Sequence, residues 1–108
     1  MVAKAFFEPI RTLGFAGISA VEAPVGAVTV NEVRTFTINN ATEGDLYFSL
    51  TSGQDEMFLA KGNFRLYDVQ SNINPRVDDR FVLSIGTQFY VRQVTAPVSG
   101  AVYIECLC

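Results

Sequence analysis

Histidine is absent from the 108 residues. That absence removes the nucleophile–histidine pairs of hydrolases, cysteine–histidine chemistry and histidine metal sites. Cysteine is nearly absent too: only Cys106 and Cys108 occur, at the end of the chain. Side chains two apart on a strand point the same way, and a bridge between them would close a very small ring in poor geometry. Two thiolates with no histidine and no third cysteine do not complete a zinc site. Both are read as small, reduced, partly buried hydrophobes.

Charge is scarce. Charged residues make up 18% of the chain and hydrophobic ones 49%, where a soluble domain is ordinarily nearer 25% charged. There is ample material for a core and too little charge for a disordered chain. The apolar surplus hints that other subunits cover some of the surface, although small monomers also expose much apolar area. Eight basic residues stand against eleven acidic ones, for a net charge of −3. No basic stripe is present, so nucleic acid is not an expected partner.

Long apolar runs are missing as well. A membrane helix needs roughly 20 apolar residues. The longest uncharged run, Gln93 to Ile104, is broken by Gln93, Thr95, Pro97, Ser99 and Gly100, so no membrane span is expected. At the N-terminus, Lys4, Glu8 and Arg11 interrupt any signal-peptide core. The expectation is a protein made and folded in the cytoplasm.

What is present is period-two alternation in short runs separated by turn residues. Strands are predicted over Val33 to Asn39, Leu46 to Leu50, Met57 to Leu59 and Phe64 to Val69, then Phe81 to Leu83, Gln88 to Val94 and Ala101 to Leu107. Gln70 to Arg80 is polar, contains Pro75 and reads as the longest loop. No helical period of useful length follows residue 30. Six or seven short strands at this spacing predict an all-β fold, a β-sandwich of jelly-roll or immunoglobulin-like order, or a small barrel. A short echo links Phe58-Leu-Ala-Lys-Gly-Asn-Phe64 with Val82-Leu-Ser-Ile-Gly-Thr-Gln-Phe89, which predicts two similar corners turning at a glycine.

The first 30 residues differ in kind, being rich in Ala, Gly and Val, with Pro9 and Pro24. Ile18 to Val21 and Ala27 to Val30 are further candidate strands. Residues 1–16 read as an extended arm docked on this domain or on a neighbour, ahead of a single domain over 17–108. A first strand within the sheet is the competing reading. The arm carries Phe6, Phe7, Ile10, Leu13 and Phe15, an apolar set that can enter a partner's groove, extend its sheet or cover this domain's own edge.

Chemistry-bearing constellations are few. Gly62 and Gly86 enter strands rather than helices, so neither makes a phosphate loop. The acidic pairs Asp78-Asp79, Asp55-Glu56 and Glu43 with Asp45 fall in predicted turns and lack calcium-loop spacing. They read as solvated turn residues. No catalytic residue, metal ligand or cofactor is expected. The tyrosines say more. Tyr47, Tyr67, Tyr90 and Tyr103 each alternate with the Phe/Leu/Val set of their own strand, so they are expected to face outward if that set lines the core. Outward tyrosines suit subunit contacts or sugar stacking, and are also ordinary half-exposed strand residues.

The strand Arg34-Thr-Phe-Thr-Ile-Asn-Asn40, the turn Phe58-Leu-Ala-Lys-Gly62, the unit Phe81-Val-Leu-Ser-Ile-Gly-Thr-Gln-Phe-Tyr-Val91 and the ending Pro97-Val-Ser-Gly-Ala-Val-Tyr-Ile104 resemble small virion proteins of tailed bacteriophages. The likeness covers about two-thirds of the chain, in turn-and-strand patterns. It implies a non-enzymatic structural protein of the virion on a β-sandwich or jelly-roll scaffold. The implied role is capsid decoration (a cement protein) bound to the major capsid protein or another virion protein, or else a tail or neck component. Symmetry adds the expectation of a homo-oligomer, a trimer or dimer.

Overall fold

The computed structural model describes residues 5–69 and 83–108. The predicted long loop, including Asp78 and Asp79, lies outside the described residues, as does most of the Phe81–Leu83 strand. Among the described residues the regular structure is β apart from one 3-10 turn, Phe15–Gly17. The strands are β1 (Arg11–Gly14), β2 (Ala23–Pro24), β3 (Thr35–Thr42), β4 (Leu46–Ser49), β5 (Met57–Leu59), β6 (Phe64–Asp68), β7 (Tyr90–Gln93) and β8 (Gly100–Leu107).

They form two four-stranded sheets, one in the order β1-β8-β3-β6 and the other β2-β7-β4-β5. All pairings are antiparallel: β1 with β8, β2 with β7, β3 with β6 and β4 with β5, with β3–β8 and β4–β7 as further contacts. The first four pairs describe one long ribbon folded back on itself, with its tip at the β4–β5 turn. Rolling that ribbon into two layers gives the jelly roll, so the protein is a β-sandwich of jelly-roll winding. This order decides between the two sandwich types that strand spacing left open, because an immunoglobulin sandwich pairs its first strand with its second.

Alternation explains the core. β3 and β8 pair over eight residues, from Thr35 opposite Leu107 to Thr42 opposite Gly100. Phe36 and Ile38 of β3, with Val102, Ile104 and Cys106 of β8, turn inward and meet Leu46 and Phe48 of β4 and Val91 of β7. Each large apolar side chain buried there contributes about 1.5–3 kcal/mol. The predicted strands from β3 onward lie within three residues of the observed ones, apart from Phe81–Leu83, of which only Leu83 is described, as an isolated bridge to Val33.

The first 30 residues depart from expectation. Neither Ile18–Val21 nor Ala27–Val30 is a strand; the strands there are β1 and the two-residue β2. Ile18 and Val25 are instead buried singly in the core. The segment from Val25 to Val33 runs beside residues 83–89 on sparse main-chain bonds: Val25 N–H to Phe89 O, Thr29 N–H to Thr87 O, and Val33 and Leu83 exchanging both. Pro24 just before it and Gly26 within it keep it from forming a regular ladder.

The β3–β4 corner is locked by a buried amide. Asn40 Nδ2 donates to Gly44 O at 2.9 Å and Leu59 O at 3.0 Å, while its Oδ1 accepts from Thr42 N–H and Oγ1. Gly100 closes against this corner at φ +89°, where a Cβ would run into the Ala41 carbonyl oxygen. Gly53 has a similar φ of +83° but open space around its Cα. Gly53→Ala should therefore cost about 1–2 kcal/mol from backbone conformation alone. Gly100→Ala should cost more than about 3 kcal/mol, adding a steric clash to the same strain. Urea unfolding of the two variants side by side checks the difference; equal losses would contradict the close packing at Gly100.

Candidate functional site

The described part of the arm lies on this chain's own sheet. Phe7 bridges to Leu107, Glu8 N–H donates to Cys106 O at 3.1 Å, and Cys108 N–H donates to Phe6 O at 2.8 Å. Farther along, Arg11 sits opposite Ile104. From Phe7 to Arg11 is four steps on the arm, and from Leu107 to Ile104 is three on β8. One extra residue is therefore bulged out at Pro9–Ile10. The bulge changes the parity of the arm. Glu8 and Arg11, three apart, both turn inward, and Phe7 and Ile10 both turn outward.

The inward pair is elaborately bonded. Arg11 Nη2 meets Glu8 Oε1 at 2.5 Å, and both side chains are buried. Glu8 Oε2 accepts from the main-chain N–H of Val30 and Asn31 and from Asn31 Nδ2. Arg11 Nε donates to Ala27 O at 2.8 Å and Nη2 to Val28 O at 3.3 Å. Its guanidinium also lies 5.9 Å from the Phe89 ring centre and 3.5 Å from Cys106 Sγ. The cluster joins arm, 26–31 loop and C-terminal strand. Gly26 has to be glycine here, since a Cβ at φ +67° would stand 2.7 Å from Arg11 Cγ.

Electrostatics follow from this geometry. Burial pushes the Glu8 carboxyl up, but the hydrogen bonds from Arg11, Asn31 and Val30 outweigh it, and the net shift is downward from 4.5. Burial pushes the Cys106 thiol up to about 11, with Arg11 opposing and Glu8 reinforcing the rise. Cys108 is raised for the same first reason, and then by Glu8. Both sulfurs are protonated at neutral pH and poor nucleophiles.

The outward side of the arm is apolar. Phe6, Phe7 and Ile10 are exposed, Phe7 at 65% and Ile10 at 60%, and Ile10 lies beside exposed Val28 and Val30 of the loop. Between arm and loop runs a shallow cleft of roughly 430 Å³, lined by Ile10, Thr12, Val28 and Val30 and by parts of Glu8 and Arg11. Glu8 and Arg11 are almost fully buried and paired with each other, so the pair adds little net charge to the cleft that it helps to line. Phe15 is exposed at the 3-10 turn, whereas Leu13 packs against the core below Gly17. Leu13 is thus a supporting residue and not part of the exposed arm set. Its place opposite Val102 puts it on the inward side of β8.

The four tyrosines do not make one face. Tyr47 stands on the outer side of its sheet, edge-on to Phe58 at 5.9 Å and 5.1 Å from the Arg92 guanidinium, which is paired with Asp55. Tyr90 is half-buried on the same outer side, its neighbours Phe89 and Val91 being buried. Tyr103 is exposed on the outer side of the other sheet. Tyr67 faces inward, contrary to expectation, and stacks on Phe36 at 4.9 Å. In β6 it is Phe64 and Leu66 that face solvent. Alternation separates the two sets correctly but does not say which is inside. The ring opposite Phe36 across the β3–β6 ladder decides it.

Sequence reasoning took Glu8 and Arg11 only as interruptions of an apolar stretch and missed their cluster. The available signal was an acid and a base three apart beside a proline.

No family model matches the chain. No curated protein matches it either. Among solved structures, the Dit protein of phage SPP1, described as a paradigm of the hub adsorption apparatus in phages that infect Gram-positive bacteria, aligns at 10% identity and a TM-score of 0.40. The alignment covers 94% of this chain and 47% of that one, so the chain spans about half of its length.

Glu8→Gln should destabilise the fold by about 3–5 kcal/mol, the usual cost of leaving one member of a buried ion pair alone. The sign of the pH effect follows from the lowered folded-state value. Glu8 contributes its stability in full above the ordinary carboxyl range, and that contribution is lost as pH falls from 4.5 through the folded value. The unfolding free energy of the native chain should therefore fall over that window more steeply than that of Glu8→Gln. Parallel curves would show that the carboxylate adds nothing.

Proposed function

We propose that this chain is a non-enzymatic structural protein of a phage virion, a capsid decoration protein that binds the major capsid protein through its arm. One observation carries the reading: the arm buries its ion pair and turns Phe7 and Ile10 outward, with Ile10 beside Val28 and Val30 and Phe6 also exposed. Folding alone would favour the reverse arrangement, since exposing apolar rings and burying charge both cost free energy. An exposed apolar surface held on a rigid edge strand suits a partner that covers it. The sequence resemblance to small virion proteins and the jelly-roll sandwich support the same assignment. On a lattice, many modest contacts of this kind act together, so a single weak interface per copy suffices.

Deleting residues 1–16 is a poor test, because it removes β1 and the Glu8–Arg11 cluster together. Phe7→Asp with Ile10→Asp leaves both in place. The double variant should keep its urea midpoint, fold normally and fail to associate with particles. Binding equal to that of the unaltered chain would overturn the arm as the docking surface. Quantitative mass spectrometry of purified particles gives the location. A copy number equal to the major capsid protein, or a simple lattice fraction of it, supports decoration. A number matching a single ring moves the protein to the neck or tail, and absence from the particle sinks the virion assignment.

A further inference from the structure

The outer side of the sheet β2-β7-β4-β5 carries a row of side chains that the arm does not use. Phe58 of β5 stands opposite Tyr47 of β4, and Tyr47 stands opposite Arg92 of β7. The row therefore crosses three neighbouring strands, about 10 Å over two strand spacings. Alternation places it there: Leu46, Phe48, Leu59 and Val91, next to these residues in sequence, all turn into the core. Phe58 is 46% exposed and stands edge-to-face with Tyr47 at 5.9 Å. The Arg92 guanidinium lies over the Tyr47 ring at 5.1 Å and is held there by Asp55, with Nε donating to Oδ1 at 3.1 Å and Nη2 to Oδ2. The two side chains of that ion pair are 35% and 40% exposed. Exposed ion pairs contribute little to stability, so the fold gains little from the arrangement.

We propose that this row binds an uncharged polysaccharide, with one sugar ring stacked on Phe58 and the hydroxyls of the next held by Arg92 and Asp55. A pyranose ring has an apolar face of C–H groups and a rim of hydroxyls that both donate and accept. Phe58 offers an exposed ring to that face. Asp55 takes only two of the five N–H donors of the guanidinium, and its own oxygens retain lone pairs. Two adjacent hydroxyls fit such a fixed donor beside a fixed acceptor. Charge excludes the other occupants. Arg92 and Asp55 cancel, so a nucleic acid or an acidic peptide finds no net positive charge here. A second copy or an apolar peptide would strip water from both charges and return no new partners for them. Sugar hydroxyls replace that water bond for bond. The row lies on the opposite outer face of the sandwich from the arm, so both surfaces can be occupied together.

The proposal does not depend on the virion assignment, because purified chain in native gels containing dextran, mannan, galactan or laminarin reports on it. At least one of these neutral polysaccharides should retard the chain, at low and high salt alike. Phe58→Ala should raise the dissociation constant read from that retardation about tenfold, the loss of one ring stack. Arg92→Lys should weaken binding too, since an ammonium lacks the planar fork that serves Asp55 and a hydroxyl at once. Phe7→Asp with Ile10→Asp should leave binding unchanged, which separates this row from the arm. The Arg92 Nε–H signal in the proton–nitrogen NMR spectrum should move as short fragments of the retarding polysaccharide are added. No retardation by any of the four would overturn the proposal, and so would retardation indifferent to Phe58→Ala. A native chain that sediments as a dimer dissociated by Phe58→Ala would give the row to a second copy and overturn it as well. Should Phe58→Ala fail to fold, the Arg92 signal decides, and an unmoved signal would overturn the proposal equally.

Discussion

The Glu8–Arg11 pair ties together parts of the chain that no single sheet unites. The arm belongs to one sheet and Phe89 packs between the two, while the 26–31 loop belongs to neither. The buried carboxylate and guanidinium bind all three. Taking two charges out of water costs several kcal/mol per ion, and their attraction alone does not reliably offset it. What offsets it here is saturation. Glu8 accepts from Arg11 and from three donors of Val30 and Asn31, and Arg11 reaches two loop carbonyls as well. Such a cluster contributes definition more than net stability. An apolar pair could fill the same space, but it would not hold the arm in the one-residue bulge that sends Ile10 outward.

That bulge also explains where the sequence was legible and where it was not. From Thr35 onward, alternation is regular, each turn is marked by Gly, Asn, Asp or Pro, and strand positions follow directly from periodicity. Before residue 30, the arm's single extra residue inverts the parity, so an alternating pattern reads as noise. β2 is only two residues long, too short for any period to show. β6 shows a different limit. Its period was clear, yet Phe64 and Leu66 were assigned to the core on hydrophobicity, and Tyr67 took that place because its ring stacks on Phe36 directly across the ladder. The apolar character of Phe6, Phe7 and Ile10 was legible from composition. The reason they can stay outside, an ion pair facing the other way, depends on contacts with residues 27–31 and 106 that are remote in sequence.

The jelly-roll winding brings both chain ends into one sheet, because its first and last strands are paired. The exposed arm side chains therefore sit on that sheet, and the row of Phe58, Tyr47 and Arg92 sits on the other. The two exposed surfaces lie on opposite outer faces of the sandwich, whose layers pack about 10 Å apart. Neither interferes with the other, and neither draws on the core residues that fold the chain. This separation lets surface substitutions report on docking without unfolding the protein.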